Sequence, residues 1–128
     1  MPATDFNHYL GIRILHKHSN GVTVECRIRK ELLNFAGVLH GGVIATLADV
    51  AVGQALMLRG HRTTTVELKI NYLRPITGNK ASARSHLLRI GKTLATGRVD
   101  VLDDKKNLAA VALVNTLAVA TVKPAVTS

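Results

Sequence analysis

Residues 38–58, VLHGGVIATLADVAVGQALML, form a long apolar run that opens on His-Gly-Gly and carries one carboxylate, Asp49. The run is too long for an ordinary strand and rich in Ala and Leu, so it predicts a helix over about residues 41–58. Apolar residues occupy nearly its whole circumference, the pattern of a helix wrapped by protein on most sides. Its length approaches the about 20 residues that span a membrane, but Asp49, Gln54, Gly41, Gly42 and Gly53 argue against insertion. The helix must then be covered from within a chain of 128 residues, a length that fits a single domain over 1–128.

The cover is predicted to be β-structure. Residues 10–18 (LGIRILHKH) and 22–29 (VTVECRIR) alternate apolar and polar around SNG at 19–21, which predicts a hairpin. Residues 30–39 are expected to be irregular. After the helix, 64–73 (TTVELKINYL) places Val66, Leu68, Ile70 and Tyr72 on one face, and RPITGN interrupts the chain. Segments 80–90, 93–103 and 108–122 are three more strands, joined by GK and DKKN turns. The last is apolar on both faces and belongs in the sheet centre or under an interface. The tail KPAVTS is expected to fray. Two strands, one long helix and four strands define an α+β chain: a strongly curved antiparallel sheet wrapped around one central helix. With no Trp and 3% aromatic residues, the core must consist of Val, Leu, Ile and Ala.

The ends of the apolar run suggest chemistry. A helix N-terminus exposes unpaired N–H groups and about half a positive charge, so it attracts anions and polarises carbonyls. Gly41 and Gly42 leave those amides bare, a candidate oxyanion hole, although a tight turn feeding a helix is the alternative. A carboxylate buried on a helix costs several kcal/mol unless it is hydrogen-bonded. Asp49 is therefore a candidate general base on water or a direct nucleophile, the alternative being an acid satisfied by a neighbouring strand or subunit. Seven residues separate Gly42 from Asp49, about 10 Å along a helix. A base must come within about 3 Å of the proton it takes, directly or through one water. If both groups serve one substrate, they come from two chains related by a two-fold axis.

Other chemistries find little support. The net charge of +9 predicts anionic partners, but the basic residues are scattered and few aromatics could stack on bases, which argues against nucleic acid. The lone Cys26 excludes an intramolecular disulfide framework, and MPATDFNHYL lacks a secretory pattern, so a cytoplasmic location is expected. There is no G-x-S-x-G elbow, P-loop or dinucleotide fingerprint. His16 and His18 share a strand face, but no third metal ligand is apparent, so no metal is expected.

The spacing Asn34, Gly37, His40, Gly41, Gly42, Asp49 resembles that of the hotdog-fold acyl-CoA thioesterases, in particular the PaaI-like (phenylacetate-pathway) branch of the 4-hydroxybenzoyl-CoA thioesterase superfamily. TVELKINYLRPITG (65–78) and RIGKTLATGRVDV (89–101) are similar to that family's strand after the helix and its following hairpin. The resemblance implies hydrolysis of an acyl-CoA thioester without a cofactor, coenzyme A being part of the substrate. It implies a shared-site homodimer, further paired into a homotetramer. It implies Gly42 as the main donor to the thioester oxygen, with Gly41 beside it. Asn34 would hold the thioester or the water, His40 would orient the loop or touch the carbonyl, and Thr65 would position water near Asp49. Arg89, Gly91, Lys92 and Thr93 would meet the coenzyme A phosphates. The glycine-bearing turn expected of the family is replaced by DDKKN. The Ala45, Ala48, Ala51, Ala55 stripe suggests room for an aryl or medium-length acyl group, or else close packing. A hotdog hydratase or dehydratase, and a non-catalytic acyl-CoA-binding protein, are the rival readings.

Overall fold

The computed structural model describes residues 5–122. It opens with a short helix that the sequence did not announce, α1 (Phe6–Leu10). The Asp5 carboxylate starts α1 by accepting the His8 amide at 2.7 Å, and Gly11 ends it in the left-handed conformation. Strand β1 (Arg13–His18) therefore begins later than the alternation from residue 10 suggests. It pairs with β2 (Gly21–Arg27), as the hairpin reading predicts. A 3₁₀ turn at Lys30–Leu32 and a loop then lead into α2 (Gly41–Leu58). Strands β3 (His61–Tyr72), β4 (Lys80–Ile90), β5 (Leu94–Leu102) and β6 (Leu108–Thr121) follow.

The six strands form one antiparallel sheet in the order β1-β2-β4-β5-β6-β3. β6 lies inside the sheet, between β5 and β3, in keeping with its two apolar faces. Its inner residues Ala112, Val114 and Thr116 are buried under α2, whereas Leu113, Leu117 and Val119 remain exposed on the outer face. β3 forms an edge and starts three residues earlier than expected, because His61 and Arg62 pair with Thr121 and Ala120 despite their polarity. The DDKKN turn closes without glycine. Asp103 accepts the amides of Lys105 and Asn107, each at 2.9 Å, while Lys106 takes the positive φ of 68°. The hydrogen bonds from Asn107 hold the Asp103 carboxyl below the usual carboxylate range.

The curved sheet packs around most of α2. Ile44, Leu47, Ala48, Ala51, Val52, Ala55 and Leu56 are buried, most of them against the strands. The opposite stripe, Ala45, Thr46, Asp49, Gly53, Gln54 and Met57, borders an open cavity. The helix is enclosed on most of its circumference, as expected, but the expectation of a buried acid is corrected: within one chain Asp49 is half-buried. Of the two readings of the Ala stripe, close packing holds for the buried Ala48, Ala51 and Ala55, and Ala45 borders that space. The helix is long and apolar enough to cross a membrane, with half of it buried inside this fold.

Ser85 ties the layers together. Its buried hydroxyl lies 2.8 Å from the Ala51 carbonyl oxygen on α2 and accepts the Val22 amide on β2 at 3.0 Å. Gly21 makes this approach possible, because a Cβ there would lie 2.0 Å from the Ser85 carbonyl oxygen. Gly21→Ala is expected to destabilise the fold by about 1–3 kcal/mol through backbone overpacking. The check is the denaturant midpoint followed by circular dichroism, and an unchanged midpoint would refute this account of the close approach.

Candidate active site

His40 builds the entrance to α2. It is the N-cap residue, in extended conformation, and its Nδ1 accepts the Gly42 amide at 2.8 Å. An accepting Nδ1 requires the neutral ring with its proton on Nε2. The His40 carbonyl accepts the Val43 amide at 2.9 Å. The Gly41 N–H is left with no acceptor among the described residues. The carbonyl of Gly41 accepts the Tyr72 hydroxyl at 2.8 Å, and a Cβ on Gly41 would meet the Tyr72 ring at 3.3 Å.

Asn34 approaches the same place from the preceding loop. Its Oδ1 accepts the amides of Ala36 at 2.9 Å and Val38 at 3.3 Å, and its own amide donates to the Val38 carbonyl at 2.8 Å. The loop is thereby folded on the Asn34 oxygen, and the side-chain NH₂ is left as a donor. Asn34, Gly41, Gly42, Tyr72 and Arg74 all border one cavity of about 500 Å³.

Asp49 belongs to a different cavity, of about 570 Å³, with Thr65 on β3 and Phe6 and Asn7 on α1. The Thr65 hydroxyl donates to Asp49 Oδ1 at 2.5 Å. Thr65, to which the resemblance gives the positioning of water near Asp49, thus contacts the carboxylate directly. Asp49 and the glycine pair, by contrast, do not converge within one chain. Eight residues of helix, about 12 Å, separate Asp49 from Gly41.

The β4–β5 turn lies toward the Thr65 end. Thr65 pairs with Thr116 and Thr116 with Ala95, which puts Gly91, Lys92 and Thr93 near that end of the sheet. The Gly91 amide donates to the Leu94 carbonyl at 2.7 Å, and the Thr93 carbonyl accepts the Ala118 amide at 2.7 Å. Arg89 follows the bulge in β4 and pairs with Thr96. Tyr72, beside Gly41, is seven residues further along β3, about 23 Å away.

Tyr72 and Arg74 are site residues that sequence reasoning missed. Tyr72 is counted there only as one apolar position on a strand face, and no spacing signals a hydrogen bond back to Gly41. His86 is another late arrival. It lies across Gly21 from His18, with ring centroids 5.7 Å apart, and adds a third imidazole near His16 and His18. Burial, followed by the nearby Arg84, pushes the His18 imidazole below its ordinary value. Among the described residues, no three such groups are placed to hold a metal ion.

A long helix against a six-stranded antiparallel sheet, with a His-Gly-Gly entrance and a mid-helix acid, defines the hotdog thioesterase class. Residues 36–110 match the thioesterase superfamily, and the chain belongs to that family of thioester hydrolases. Among its relatives is human acyl-coenzyme A thioesterase 13, 35% identical over 103 residues, covering 77% of this chain and 74% of that one. The medium/long-chain acyl-CoA thioesterase YigI of Salmonella typhimurium is 39% identical over 80 residues, covering 50% of this chain and 52% of YigI. The structure of a mutant phenylacetic acid degradation protein PaaI from Thermus thermophilus superposes with a TM-score of 0.81. It is 27% identical and covers 89% of this chain and 98% of that one.

Proposed function

We propose that the protein hydrolyses acyl-coenzyme A thioesters, with each site assembled from two chains. The observation that carries this reading is the division of the site. Asp49, paired with Thr65, and the Gly41 N–H, without an acceptor among the described residues, sit about two helical turns apart on one helix, in separate cavities. A two-fold axis running antiparallel copies of α2 past each other brings Asp49 of one chain to Gly41 of the next. The edge strand β3 supports such pairing. It offers twelve residues with a free edge and an outward Val66 that is 56% exposed. Outer-face Leu94, Leu113, Leu117 and Val119 support further pairing of dimers into a tetramer.

In this reading Asp49 takes a proton from water, and the hydroxide oxygen bonds to the thioester carbon. Negative charge develops on the carbonyl oxygen, which accepts from the Gly41 N–H of the opposite chain and from the Asn34 side-chain NH₂. The carbon–sulfur bond then breaks, and the proton returns to the departing thiolate. The products are a carboxylic acid and free coenzyme A. Direct attack by Asp49, giving a mixed anhydride, uses the same groups. The Gly42 N–H, the donor expected from the sequence, is already held by His40. The role of carbonyl donor therefore passes to Gly41, while Gly42 and His40 set the turn. Arg89 and Lys92 are assigned to the coenzyme A phosphates, with Gly91 and Thr93 shaping their turn. The Asp49 cavity, walled by Ala45, Gly53, Met57 and Phe6, suits an aryl or medium-length acyl group.

A free-thiol assay over acyl-CoAs of increasing chain length and phenylacetyl-CoA tests the reaction. Thiol release is the expected result. Loss of the conjugated double bond of an enoyl-CoA without thiol release would favour the hydratase instead. Thr65→Val removes the hydroxyl that orients Asp49 and is expected to lower kcat by about 10- to 100-fold, the worth of one hydrogen bond to a charged group. Thr65→Ser should retain most activity. Equal losses in both variants would show that the hydroxyl is not what matters.

A further inference from the structure

The Gly41–Gly42 peptide is held at both ends. Its N–H donates to His40 Nδ1 at 2.8 Å, and its carbonyl accepts the Tyr72 hydroxyl at 2.8 Å. The two anchors come from opposite sides of the turn. His40 belongs to the cap itself, whereas Tyr72 comes from the far end of β3, 31 residues along the chain. The Tyr72 ring also packs against Gly41, so closely that any side chain there would press on it. The ring is nevertheless 51% exposed and borders the cavity that holds Asn34 and Arg74. A buried core tyrosine would satisfy its hydroxyl anyway. This one is at the surface, where water could serve the hydroxyl equally well, and it is directed instead onto one backbone carbonyl.

We propose that Tyr72 is a positioning residue for the carbonyl-binding amide: by fixing the Gly41–Gly42 peptide plane, it sets the direction of the adjoining Gly41 N–H. The proposal rests on the reading of that N–H as the thioester's donor. Rotation of the 41–42 plane turns the ψ of Gly41, and with no side chain at Gly41 or Gly42 that rotation is resisted by hydrogen bonds, those of the helix itself and those to His40 and Tyr72. The glycines that open the amide to substrate thus leave its restraint to hydrogen bonds, and beside the local one from His40, Tyr72 supplies one from another element. A donor must lie within about 3 Å of the developing oxyanion to stabilise it, so small rotations are costly. Because the hydroxyl bonds the enzyme backbone and not the substrate, its loss should act on turnover more than on ground-state binding.

The test is Tyr72→Phe, which keeps the ring and deletes the hydroxyl, beside Tyr72→Ala. In Tyr72→Phe, kcat for thiol release should fall about tenfold while KM stays within about twofold. Protection of the Gly42 amide against hydrogen exchange, followed by NMR on the full chain, should fall in the same variant, with the thermal midpoint little changed. His40→Ala combined with Tyr72→Phe should cost less than the product of the two single losses, since both act on one peptide. Wild-type kcat and wild-type Gly42 protection in Tyr72→Phe would overturn the proposal, as would losses confined to thermal stability. A wild-type protein inert toward every acyl-CoA would overturn the thioesterase reading instead, and Gly42 protection would still decide whether Tyr72 holds the peptide.

Discussion

Asp49→Asn is expected to lower kcat for thiol release by about a thousandfold or more, with a thermal midpoint close to that of the wild type. The size follows from the role, since a positioned base contributes about 10²–10⁴ and no other carboxylate or imidazole among the described residues borders the Asp49 cavity. Among the residues bordering its cavity, Asn7, Thr46, Gln54, Thr63 and Thr65 bring amides and hydroxyls, and Asp49 brings the carboxylate. Asn keeps the shape and still accepts from Thr65, but it can neither take a proton at neutral pH nor form an anhydride. The stability expectation follows from exposure. A half-buried carboxylate with one hydroxyl partner contributes little to folding, so loss of activity in this variant cannot be ascribed to unfolding. Activity within tenfold of wild type would remove Asp49 from the mechanism. It would also leave the non-catalytic acyl-CoA-binding reading in place if the residual rate were independent of every site residue.

The second large effect concerns the division of the site between chains. Asp49→Ala and Gly41→Val should each be inactive alone, the latter because its side chain meets Tyr72 and screens the amide. Mixed and re-associated, the two should recover about a quarter of wild-type activity. Random pairing makes half of the dimers mixed, and each mixed dimer holds one site with an intact Asp49 from one chain and an intact Gly41 from the other. Its second site carries both lesions. A site contained within one chain predicts no recovery at all, because every chain in the mixture is defective. The measurement is thiol release against mixing ratio, with a maximum near equal amounts. A flat line at zero, with subunit exchange demonstrated by mass spectrometry, would show that the shared site is wrong.

Much of the fold was legible because periodicity is a local property. The 41–58 helix and the 80–90 strand match the structure to the residue, and the other strands differ at their ends by at most three residues. The early departures have local causes that are easy to overlook. Asp5 and Gly11 cap a single helical turn inside a segment whose apolar residues also suit a strand, and polar His61 and Arg62 extend β3 because β6 is there to pair with them.

For the site, the chain alone determined which groups share α2 and how far apart they lie, because a helix rises by a constant amount per residue. That arithmetic places Asp49 out of reach of its own glycines without any coordinates. Side-chain direction is decided by contacts distant in sequence. Only the tertiary structure showed that the Asp49 stripe of α2 borders an open cavity, because strand order determines which face the sheet occupies. It alone showed that Thr65 reaches Asp49, and that Tyr72 returns to Gly41 across the end of β3. It also showed that the amides of the adjacent glycines differ in their partners. Gly41 and Gly42 are identical in composition and nearly so in position, but the imidazole of His40 folds back onto the Gly42 amide, whereas that of Gly41 has no acceptor among the described residues.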